Sequence, residues 1–154
     1  MTNALSRDFT VAVFVVHNNH VLLHPHAKIG LWLPPGGHID APELPDEAAV
    51  REIREEAGIE IELVGERGVN LNQPDMPMQL IRPAGIQLET ITPDHQHIDL
   101  IYFARVIDAP PAGLPDVLEP MRWLSEAEFG DVPLNEEVTA WATRALRELA
   151  SRNP

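Results

Sequence analysis

The stretch GGHIDAPELPDEAAVREIREEAGI, residues 36–59, decides how this chain is read. Three of its carboxylates, Glu52, Glu55 and Glu56, fall within five residues, and glycines stand at both ends of the stretch. The segment Pro45 to Ala57 reads as a helix. Pro45 suits the first turn, Asp46 and Glu47 suit the positive end of the helix dipole, and Gly58 suits a left-handed stop. Spacing of i, i+3 and i+4 then puts the three glutamates on one face within about one turn. Ala49, Ile53 and Ala57 trace another, apolar face that packs on a sheet. Like charges at this spacing repel by roughly a few tenths of a kcal/mol on an exposed helix. Close oxygen-only ligands suit a hard cation such as Mg²⁺ or Mn²⁺, and Mg²⁺ bridges carboxylates to substrate phosphates. A plain solvated acidic face, with Arg51 paired to Glu55, is the competing reading.

Working outward, Phe9 to Val16 is apolar and β-branched, as in a buried strand. HNNH, residues 17–20, reads as a hairpin turn, with Val21 to His24 as the return strand. LWLPPGGHI is a short strand interrupted by Pro-Pro-Gly-Gly. IEIELVGERGV alternates like a strand, and two more are expected near Gln79 to Thr90 and near His97 to Val106. Ala109 to Pro115 is a turn-rich connection. Leu134 to Ala150 closes the chain as an amphipathic helix whose stripe is Val138, Trp141, Ala142, Ala145, Leu146 and Leu149. Strands mixed with two main helices imply an α/β sandwich on a mixed sheet. Nothing divides residues 1–154, so one domain is expected.

The 154 residues suffice for a sizeable core, and 44% of them are hydrophobic. With no cysteine, disulfides, thiolate catalysis and Cys-based zinc sites are excluded. The net charge of −13 repels a nucleic-acid backbone, which argues against a polymer of DNA or RNA as partner. A small anionic substrate remains compatible, because bound divalent cations reverse the local sign. No run is long enough to span a membrane and the N-terminus lacks a basic signal region, so a soluble cytoplasmic protein is expected.

The spacing within the opening stretch is specific. Gly37, five residues, Glu43, seven residues, then Arg-Glu-Ile-Arg-Glu-Glu-Ala-Gly-Ile fills every fixed position of a known pattern. At ordinary residue usage a chance match at a given start is on the order of one in a billion. The chain resembles the Nudix (MutT-like) hydrolases, whose signature is this box. LWLPPGG before it and RWLSEAEF near the end extend the likeness over most of the chain. The resemblance implies an α/β/α sandwich around a mixed sheet. It also implies hydrolysis of a nucleoside diphosphate linked to another moiety, of the ADP-ribose or nucleotide-sugar type or of the (d)NTP type. A Nudix-fold module that senses a nucleotide without turnover is the alternative. Mg²⁺ or Mn²⁺ is the implied cofactor, and a small nucleotide-type molecule the implied partner. Some members of the family dimerise, so a homodimer stays open.

By position in the box, the resemblance assigns the divalent metal to Glu52, Glu55 and Glu56, with the Gly36 carbonyl joining them. Arg51 matches the arginine that orients a glutamate, and Glu43 supports the loop. The general base is either a box glutamate, such as Glu55 or Glu52, or a later carboxylate, for which Glu119 is the candidate. His95, His97 and Asp99 share one face if their segment is a strand. Metal ligation, contacts to substrate, a supporting shell around the metals and a solvated sheet face all remain open for them, and Asp99 is a reserve candidate for the base. Lys28, the only lysine, and His38 join His97 and Asp99 as candidates for substrate binding, and Arg82 is a further phosphate contact.

Overall fold

The computed structural model describes residues 4–69, 71, 73–107 and 120–150. In chain order the elements are β1 (Ser6–His17), β2 (His20–Pro25), β3 (Trp32–Leu33), β4 (Gly36–His38), α1 (Pro45–Ala57), β5 (Ile61–Val64), β6 (Gly85–Thr92), β7 (His95–Val106) and β8 (Arg122–Leu124). A 3₁₀ turn, Glu126–Asp131, and α2 (Glu136–Ala150) follow. The spine is a parallel pair, β1 on β7, in unbroken register from Ser6 beside His95 to Val16 beside Arg105. All other strand pairings are antiparallel: β2 and β4 on β1, β3 and β8 on β2, β5 and β6 on β7. The sheet is therefore mixed.

Alternation along β1 and β7 divides the core in two. Val11, Val13, Val15, Tyr102 and Ala104 face α1, which buries Ala48, Ala49, Ile53 and Ala57 against them. Phe14, Val16, Ile101 and Phe103 face the other way, onto Val138, Ala142, Ala145, Leu146 and Leu149 of α2. One helix on each face of a mixed sheet is the α/β/α sandwich. None of the described helices is long and apolar enough to cross a membrane.

Several boundaries differ from the sequence reading for local reasons. The β1–β2 hairpin turns on Asn18 and Asn19, both at positive φ (48° and 60°), which asparagine tolerates. β5 stops at Val64, short of the expected run, because the next stretch of that edge of β7 is taken by β6, beginning at Gly85 opposite Ile101. The β6 strand starts six residues later than expected. Pro83 lacks an N–H for the ladder, and the segment before it leaves only a bridge between Arg67 and Ile81. α2 starts at Glu136 because Asn135 caps it, its Oδ1 accepting from the Val138 N–H at 2.8 Å. The expected turn at Ala109 to Pro115 lies outside the described residues.

Candidate active site

α1 carries the carboxylate face. At its start the Glu47 carboxylate accepts from the Leu44 N–H at 3.1 Å, and at its end Gly58 sits at φ 67° with its N–H on the Arg54 carbonyl. Both ends are thus fixed, and the side chains between them point where the helix sends them.

Arg51 is the hub. Its guanidinium makes hydrogen bonds to Glu43 through Nε (2.5 Å) and Nη2 (2.9 Å), to Glu52 and Glu55 through Nη1 (3.0 and 3.1 Å), and to the His38 carbonyl through Nη2 (3.0 Å). These contacts match the five donors a guanidinium has. Glu43, beyond its fork with Arg51, accepts from the Asp40 N–H at 3.1 Å. The hydrogen bond from Arg51 holds the Glu43 carboxyl below its ordinary range, and the same bond raises the Arg51 guanidinium well above its own.

Glu52 and Glu56 lie behind this hub. The Glu52 side chain is 13% exposed, against 59% for Glu55. A Cβ on Gly36 would collide with the Val11 backbone carbonyl, so that position requires glycine, and one on Gly37 would push the Glu52 carboxylate aside. Glu56 is half-buried, and its Oε2 is buried with no hydrogen-bond partner among the described residues. Burial first, and then the Glu52 charge, push its carboxyl up to about 7, against a backbone hydrogen bond from Gly36. The donors here are all oxygen, the kind that suits a hard divalent ion: Glu52 and Glu56 lie beside the glycine turn, and one Glu56 oxygen has no partner among the described residues.

The remaining candidates divide. His38, His97 and Asp99 come together, but across the sheet from Glu52. Gly37 lies opposite Val11 and faces α1, whereas His38 lies opposite Thr10 and faces the α2 side. The His38 and His97 rings meet edge to face at 5.1 Å, and those of His95 and His97 at 5.0 Å. Asp99 is only 7% exposed, so its place is no solvated sheet face. Its carboxylate accepts from Thr10 Oγ1 and, at 3.1 Å, from Gln87 Nε2. Burial, followed by the His38 charge, lowers the His97 pKa. Lys28 sits in the exposed turn after β2; its backbone N–H meets His26 Nδ1 at 3.4 Å, and among the described residues no hydrogen bond or ion pair links its side chain to either group. Glu119 lies outside the described residues.

Sequence reasoning missed Asp8, Thr10, Gln87 and Glu89, which complete the second cluster. Alternation would have put Asp8 and Thr10 on one face of β1. Only the register of β1 on β7, across 89 positions of sequence, shows that this face continues that of His97 and Asp99.

Comparison with known proteins gives the family and the fold. The NUDIX domain family model matches residues 6–149, so the chain belongs to the Nudix hydrolase family. A hydrolase of the NUDIX family from Clostridium perfringens is 35% identical, with a TM-score of 0.78, and the match covers 94% of this chain and 99% of that one. A MutT protein from Methanosarcina mazei Go1 (18% identity, TM-score 0.64, 96% and 99% covered) shares the fold. So does a mutator MutT protein from Bacillus halodurans (20%, 0.56, 90% and 82%). No curated protein matches the chain. Nudix hydrolases in general use divalent metals and act on small nucleotide-type substrates.

Proposed function

We propose that the chain is a Mg²⁺- or Mn²⁺-dependent pyrophosphohydrolase acting on a nucleoside diphosphate linked to another moiety, of the ADP-ribose, nucleotide-sugar or (d)NTP type. The observation that carries this reading is the buried, unpartnered Oε2 of Glu56 beside Glu52 and Gly36. A carboxylate kept there without a counter-charge is costly unless a cation completes it. Glu52, Glu55, Glu56 and the Gly36 carbonyl would hold that cation. When bound it would supply neutralisation of phosphate charge and activation of water.

The chain's own residues do the rest. Arg51 fixes Glu52 and Glu55 in place through one nitrogen, so the carboxylates need no reorganisation when substrate arrives. Glu55, 59% exposed against 13% for Glu52, would meet the water and accept its proton. The water oxygen bonds to one phosphorus, the bridging P–O bond breaks, and the leaving phosphate carries away the electron pair. Against a net charge of −13, the substrate approaches as its metal complex.

The test is a turnover screen with Mg²⁺ and Mn²⁺ over ADP-ribose, NADH, nucleotide sugars, dinucleoside polyphosphates, and normal and oxidised (d)NTPs. Glu56→Gln runs in parallel. Turnover of one class, lost in the variant, is the expected result and names the substrate. Metal binding with no turnover on any of them would favour a nucleotide sensor, and no metal binding would remove the reading of the glutamate cluster.

A further inference from the structure

The α2 face of the sheet carries a second group of ligating side chains, and the strand register builds it. One cross-strand row runs His38, Thr10, Asp99, Gln87, and the next runs Asp8, His97, Glu89. Two triads result, Asp8–His38–His97 and Glu89–His97–Asp99, each with one ligand atom per residue and all within 4.8 Å of one another. Opposite ligands of an ion bound at about 2.1 Å lie at most about 4.2 Å apart, so small side-chain movements close either triad. Both use His97.

From this arrangement we propose a second divalent-cation site, centred on Asp8, His38 and His97 with Glu89 and Asp99 within reach, that takes a borderline metal of the Zn²⁺ or Co²⁺ kind. The donor types set the preference. Imidazole with carboxylate suits such ions, whereas the all-oxygen box suits Mg²⁺ or Mn²⁺. Side chains around the central ligands are held in place. Thr10 and Gln87 hold Asp99, Trp141 Nε1 donates to Gln87 Oε1 at 3.2 Å, and Ser6 Oγ meets His95 Nδ1 at 2.8 Å. The two histidines drawn to Asp8 Oδ2, His38 at 3.2 Å and His95 at 3.4 Å, already gather nitrogen around one carboxylate oxygen. Among the described residues no lysine or arginine forms an ion pair with Asp8, Glu89 or Asp99, so the charge a cation would meet is not already taken. The Asp8 and His38 side chains are 48% and 56% exposed, which leaves an ion a way in. The site is separate from the box, because β4 turns Gly37 toward Glu52 and His38 away from it.

Metal-free protein titrated with Co²⁺, and then displaced with Zn²⁺, tests this. The Glu52→Gln/Glu56→Gln variant is expected to keep one Co²⁺ with visible absorption that Zn²⁺ bleaches. The His38→Ala/His97→Ala variant is expected to lose that absorption, and Asp8→Asn to weaken binding by about tenfold or more. ¹⁵N spectra of the wild-type imidazoles, which need no variant to fold, should show Zn²⁺ moving His38 and His97. Unmoved imidazoles, or a Co²⁺ spectrum that survives in the histidine variant and vanishes in the box variant, would overturn the site. None of these readouts uses turnover, so failure of the hydrolase reading leaves a different record.

Discussion

Glu43 and Glu56 belong to the same segment and have opposite surroundings. Glu43 gives both oxygens to the Arg51 fork, and its carboxyl is held below the ordinary range. Glu56 has a buried oxygen with no partner, and its carboxyl is pushed up to about 7. The two faces of the sheet repeat the contrast. Arg51 neutralises the outer carboxylates beside α1, while the Asp8, Glu89 and Asp99 group has no arginine or lysine ion pair among the described residues. A paired carboxylate fixes geometry. A buried one left without a counter-charge is compensated by a cation or by a proton.

The largest effect expected from this difference is on turnover. Glu56→Gln, with its shape kept and its charge removed, should lower turnover by on the order of 10²- to 10³-fold. Loss from Glu43→Gln should be much smaller, and steady-state rates of the two variants side by side decide it. The reverse order would mean that the strut and the ligand have been exchanged. Next comes linkage. At 100 times its Kd, Mg²⁺ should stabilise the wild-type protein by about 2.7 kcal/mol in denaturant unfolding, and much less in Glu56→Gln. Equal stabilisation of the two would place the ion elsewhere. Smaller again is the stability cost of Glu43→Gln itself, about 1–3 kcal/mol, because the Arg51 fork loses its charged partner at a side chain only 15% exposed. A variant as stable as the wild type would show that the loop does not depend on that fork.

Much of this contrast was legible in the sequence, and the reason is its spacing. The box is contiguous, so helix periodicity alone puts Glu52, Glu55 and Glu56 on one side and Ala49, Ile53 and Ala57 on another. What spacing could not give was register. His97 and Asp99 were visible as a strand face, but their neighbours on β1, Asp8 and Thr10, are tied to them by a parallel pairing that no local pattern encodes. Nor could it tell which face of the sheet His38 would take. One residue separates it from Gly37, and in a strand one residue is the whole difference. The shortened β5 has the same origin, since it ends where β6 takes over the edge of β7.

The smallest expected effect is on pH dependence, and it sharpens the comparison because the two glutamates act with opposite sign. In metal-free protein the Glu56 carboxyl sits at about 7, above the ordinary 4.5 it returns to on unfolding. Between those values the folded state holds more protons than the unfolded one, so stability falls as pH rises through the window. With a half-buried group the loss amounts to about 1–2 kcal/mol after solvent screening. Glu43 runs the other way. Its carboxyl is lowered, so its contribution is present above the unfolded value and disappears as acid drives the pH through the folded one. Urea unfolding of the metal-free protein from pH 3 to 8 should therefore lose its falling limb in Glu56→Gln and part of its acid limb in Glu43→Gln. If Glu56→Gln leaves the slope between pH 5 and 7 unchanged, the buried oxygen is already compensated without metal, and the contrast between the two carboxylates fails at its centre.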